Sequence, residues 1–142
     1  MFQTLYSTTA VVALCIVVAL AVWRAGPSEQ AGAGIFALGW ALSAVVQSLF
    51  RDNYGPWLLP VDLATLLGFG ILTWRSSRDW PVIATAFQGV AVAVGALFLF
   101  DVSIAPPLYV ASLAVSSIGV LGAILWGIVT AWKPDPPAPP IV

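Results

Sequence analysis

The chain has 142 residues, 61% of them hydrophobic and 8% charged, with a net charge of −1 and a mean hydropathy of +1.00. Soluble domains carry roughly 25% charged residues, so this composition excludes a water-facing globular surface and makes lipid the solvent. Five basic residues against six acidic ones leave no basic face to neutralise phosphates, which excludes nucleic acid as a partner.

The first apolar block predicts a helix over 5–23. A secretory leader would need a positively charged start, and Phe2, Gln3, Thr4 and Tyr6 supply none, so this helix is expected to be retained. Arg24, Gly26 and Pro27 break the block, and Ser28 is expected to cap a second helix over 31–50. Arg51, Gly55 and Pro56 separate it from a third over 57–74. Asp79, followed by Trp80 and Pro81, reads as the N-cap of a fourth over 80–100. After a turn at 101–107, the fifth helix, 108–132, is long enough to tilt in or protrude from a core of roughly 30 Å. The fold class expected is all-α, a bundle of five transmembrane helices over 1–132. The tail at 133–142 is too rich in proline for a helix and favours polyproline II, as a frayed end or as a strip that contacts a cytoplasmic partner.

Charge orients the bundle. If helices 1, 3 and 5 end on one side, that side collects Arg24, Arg75, Arg78 and Lys133, and the other receives Arg51. The positive-inside rule then places the N-terminus outside and the C-terminus in the cytoplasm. The pairs Trp23 and Arg24, Trp74 and Arg75, and Trp132 and Lys133 mark one interface, since tryptophan prefers the headgroup region and a cation suits a helix C-terminus. Tyr6, Tyr54 and Tyr109 fall at the opposite boundary.

Asp62 is the acid that sits most clearly within an apolar block, and an ionisable residue at membrane depth is expensive. It lies roughly 8 Å below Trp57 on a helical rise. With Pro60 as the first helical residue, Asp62 would stand where the helix dipole favours an anion, paired to Arg51 as a staple between helices 2 and 3. The alternative makes Asp62 the carboxylate of a small transporter or channel subunit, with Gln47 and Gln88 as polar partners. Gln47 and Gln88 otherwise read as interhelical hydrogen-bond glue. Trp40 sits mid-helix and packs in the core, or with Phe36 holds a lipid, quinone or carotenoid.

Helix 5 gathers Ser112, Ser116, Gly119, Ala123 and Gly127 on one face, which allows a neighbouring backbone to come close, within the chain or between chains. Gly89, Ala93 and Ala96 offer a shorter version on helix 4. Histidine, the commonest metal and haem ligand, is absent, and Cys15 lies mid-segment as a packed hydrophobe. Lys133 is the only lysine and lies at the end of the last block, so no mid-membrane Schiff base is available. With no nucleophile and base pair and no phosphate loop, neither catalysis nor a required cofactor is expected.

From Trp74 through Arg75, Ser76, Ser77, Arg78, Asp79, Trp80 and Pro81 to Ala86, Phe87 and Gln88, the chain resembles small multi-span inner-membrane proteins of uncharacterised function in proteobacteria. The resemblance implies a bacterial inner-membrane location and carries no site residue with it. The function expected from these features is an accessory or structural subunit, packed against other membrane subunits or copies of itself.

Overall fold

The computed structural model describes residues 2–50, 55–100 and 105–132, with side chains from residue 8 onward. All the regular structure among them is helical: α1 (Phe2–Arg24), α2 (Pro27–Leu49), α3 (Gly55–Arg75), α4 (Trp80–Phe100) and α5 (Pro106–Ala131). The helices α2 to α5 are each long and apolar enough to cross a membrane, whereas the apolar part of α1 with described side chains, Thr8–Arg24, is shorter. Each helix packs on the next in sequence, and α1 returns to α5, so the five close a ring with α2 and α5 also meeting across it.

Prolines set the helix starts and move three of the predicted boundaries. The α2 helix begins at Pro27, with Gly26 as an N-cap that makes no side-chain bond. Ser28 is therefore not the cap: it lies inside the first turn, and its hydroxyl meets that of Ser76 at 3.3 Å. The α5 helix likewise starts on Pro106 after an extended Ala105. A fixed φ and a missing N–H suit proline to a first turn, where that donor would be orphaned anyway. The same rule corrects α3. Its first turn is built on Gly55 and Pro56, and Pro60 lies inside the helix rather than at its start. Asp62 is thus in the second turn and beyond, away from the strongest part of the dipole field.

Tight packing is confined to one half of the bundle. The core cluster of Val17, Ala21, Phe36, Phe69, Trp80, Ala84, Ile124 and Ile128 comes from the ends of α1, α3 and α5 and the beginnings of α2 and α4. Lipid is as apolar as these side chains, so what holds them is close van der Waals contact and interhelical hydrogen bonds. Trp80 is the centre of this half, 1% exposed. Its indole lies between Gly32 of α2 and Gly127 of α5, where any added Cβ would overlap the ring. About two turns back along α5, Gly119 receives the ring of Phe87 in the same way. The small-residue face of helix 5 is thereby filled by α4 of the same chain over Gly119 and Gly127, with Ser116 and Ala123 buried between and beside them. Ser112 is only half-buried and bonds its own helix at Leu108 O. On α4 the inward positions are Trp80, Ala84, Gln88, Ala91 and Gly95, so the shorter face is not the packing face: Gly89 meets open space and Ala93 is exposed.

Among the anchors, Trp23, Trp74 and Trp132 are exposed, and the Arg24 guanidinium sits 4.8 Å from the centre of the Trp23 ring. Arg75 closes α3 in the open, and Lys133 lies outside the described residues. Tyr109 departs from the boundary pattern: it is buried and stacks on Phe98 with ring centroids 4.4 Å apart. The side chains of Tyr6 and Tyr54, and the whole tail at 133–142, lie outside the described residues.

Candidate functional site: a polar cavity in one half of the bundle

The other half of the bundle is hollow. A cavity of about 690 Å³ lies among α2, α3, α4 and α5, within the size range of small-molecule sites. The α2 helix contributes Phe36, Trp40, Ser43 and Gln47, α3 contributes Leu58, Asp62 and Thr65, and α4 contributes Gln88 and Ala91. Tyr109, Leu113, Ala114, Ser116 and Ser117 complete it from α5. Apart from Phe36, which also belongs to the packed core, the α2 residues lie in the C-terminal half of that helix, while those of α3 and α5 lie in or next to the N-terminal halves, so the hollow extends toward the end opposite Trp80. Ala44, Gln47 and Val110 line the cavity and are also exposed, which places its mouth between the end of α2 and the start of α5.

Asp62 stands in the α3 wall, seven residues after Gly55 and so about 10 Å along the helix axis. Its partner is Gln88, which is 5% exposed and donates from Nε2 to Asp62 Oδ1 at 3.2 Å and to the Asp62 carbonyl at 3.3 Å. This joins α3 to α4 and leaves the carboxylate in the cavity wall with one neutral donor among the described residues. The expected partner, Arg51, lies outside the described residues. Among the described residues, α2 and α3 are fastened near their junction by the stack of Phe50 on Trp57, with centroids 4.9 Å apart. Gln47 lines the same cavity from the rim, so the structure gathers Asp62, Gln88, Gln47, Phe36 and Trp40 around one space.

Ser116 supplies the site's least expected feature. Several hydroxyls in these helices bond back to their own backbone, as in Thr65 to Val61 O, Ser112 to Leu108 O and Thr130 to Trp126 O. Ser116 does not: its Oγ is buried, lines the cavity and has no hydrogen-bond partner among the described residues. A buried polar group left unpaired costs on the order of 1–3 kcal/mol, so it marks where a partner is wanted. In the sequence it is one member of a small-residue stripe, and nothing separates it from Ser112.

A second, apolar and partly open hollow of about 160 Å³ lies beside Phe36 and Trp40, lined also by Thr9, Ala10 and Ala13 of α1 and Ile118 and Leu121 of α5. Phe36, Trp40 and Ser117 are common to both and form the wall between them.

The packed half has its own polar cluster, which the sequence reading missed. Glu29, 1% exposed, accepts the indole N–H of Trp80 at 3.0 Å and faces Arg78 Nε at 3.4 Å. The available signal was Pro27: a helix started there puts Glu29 in its first turn, where the dipole favours an anion. With Ser28 on Ser76 and Thr73 on Thr85 at 2.9 Å, this cluster ties α2, α3 and α4 together at the end away from the cavity. No group of three or more metal-ligating side chains occurs among the described residues. Set against known protein families, curated proteins and solved structures, the chain matches none.

Proposed function

We propose that the chain is a non-catalytic membrane protein that binds a small molecule in the 690 Å³ cavity, as the substrate site of a small transporter. The observation that carries this reading is the meeting, in one hollow, of the Asp62 carboxylate held by Gln88 and the unpartnered hydroxyl of Ser116. A polar lining at membrane depth is costly unless something uses it. The one-sided arrangement supports the same reading, because a site with a mouth at one end and a packed seal at the other is one state of an alternating carrier. The accessory-subunit reading drew on the small-residue face of helix 5; with Phe87 and Trp80 filling that face, its main argument moves inside the chain.

The membrane is taken as the bacterial cytoplasmic membrane, with five crossings, the N-terminus outside and the cavity mouth facing out. Arg24, Arg75 and Arg78 at the sealed end support that orientation. Extraction in native lipid discs followed by mass analysis tests the site. Wild type is expected to retain a small molecule that Ala114→Trp, which puts an indole into the cavity from its α5 wall, binds far less or not at all. Identical small-molecule content in two folded proteins would overturn the proposal.

A further inference from the structure

The lining of the cavity constrains what it takes. Asp62 is the one formally charged side chain among the described lining residues, and every other polar group there is a neutral amide, hydroxyl, phenol or indole. Among the described residues no lysine or arginine lines the hollow to balance it. Gln88 offers Asp62 a single neutral donor at 3.2 Å, which satisfies part of a carboxylate's acceptor capacity and none of its charge. An anion is therefore repelled. A bare metal ion is a poor match, because one carboxylate makes no ligand cluster and the space is far larger than an ion needs.

The apolar side of the site adds the second half of the description. Trp40 and Tyr109 both line the same hollow, and aromatic residues attract organic cations that come within about 6 Å of a ring face. Beside Trp40 lies the 160 Å³ hollow, lined, apart from Thr9 and Ser117, by apolar or aromatic side chains. A dry apolar hollow of about 150 Å³ accepts a benzene-sized group. Polar and apolar compartments thus share one wall of Phe36, Trp40 and Ser117.

We infer that the occupant is a monocationic amphiphile, a protonated or quaternary amine whose cationic head lies against Asp62 and whose apolar part runs along Phe36 and Trp40 toward the smaller hollow. Ser116 bonds any hydroxyl or N–H the head carries. This assignment rests on the reading of the cavity as a ligand site, and the two fail differently.

The test uses the full chain in phosphatidylcholine nanodiscs, titrated calorimetrically with octyltrimethylammonium, octyl sulfate and octanol against empty discs. The cation is expected to bind saturably at one site. Asp62→Asn should weaken it at least tenfold, Asp62→Glu should retain it, and Ala114→Trp should abolish it. Octyl sulfate and octanol should show only the partitioning seen in empty discs. If sulfate or octanol binds as tightly as the cation and Ala114→Trp removes that binding, the cavity is a site and the cationic assignment is wrong. Cation binding that Asp62→Asn leaves unchanged also overturns the assignment. If no probe shows saturable binding sensitive to Ala114→Trp, both the assignment and the cavity reading fall.

Discussion

Two acids carry most of the polar chemistry of this chain, and they differ in what surrounds them. Asp62 faces a hollow with one amide donor, whereas Glu29 is enclosed and used: Oε1 takes the Trp80 indole N–H at 3.0 Å and lies 3.4 Å from Arg78. Since Arg78 is 42% exposed, solvent screens the ion pair, and the bond to the indole should dominate. Glu29→Ala leaves a buried N–H unpaired and is expected to destabilise by about 1–3 kcal/mol in thermal denaturation in mild detergent. Glu29→Gln keeps an acceptor and should cost less than half of that; equal losses would mean that the ion pair matters more than the indole bond. Asp62 is visible in sequence because an acid inside an apolar block is costly and so stands out. Glu29 was hidden because it follows Gly26 and Pro27, where an acid reads as part of a turn, and only the start of α2 on Pro27 takes it inside.

At the scale of helices, apolar block length made the five elements legible, and α4 runs over the predicted 80–100. The differences lie at prolines: Pro27, Pro56 and Pro106 interrupt the apolar blocks of the sequence, yet α2, α3 and α5 use them in their first turns. The small-residue face of α5 was also legible, though not its occupant, because a stripe of small residues records that something comes close without saying what. The occupants are Phe87 and Trp80. Gly127→Leu drives a side chain into the Trp80 ring and is expected to destabilise the bundle by about 1–3 kcal/mol, or to block folding. Gly122→Leu on the same helix meets open space and should stay within about 0.5 kcal/mol of wild type. Equal melting behaviour of the two variants would contradict the placement of Trp80 between α2 and α5.

The whole molecule divides into a packed half around Trp80 and a hollow half around Asp62, and no hydropathy pattern announces that division. In water, an inward face is apolar and an outward face polar. In lipid both are apolar, so the code that reveals a soluble core is silent. Phe69, fully buried, and Leu67, 61% exposed, are both apolar neighbours on α3. The polar residues report on the interior more directly: Asp62, Gln47 and Gln88 stand out in the sequence, and they line the same cavity.

The central claim is that this cavity is a water-reachable binding site with its mouth on the outer face. Cysteine accessibility tests it most directly. In a Cys15→Ser background, Ser43→Cys places a thiol in the cavity lining, while Leu42→Cys, its neighbour on α2, sits at an exposed position outside that lining. A membrane-impermeant cationic methanethiosulfonate added outside intact cells is predicted to label Ser43→Cys at least tenfold faster than Leu42→Cys. Labelling of Ser43→Cys only from the cytoplasmic side would reverse the orientation and keep the site. Equal, slow labelling of both positions from either side would contradict the account.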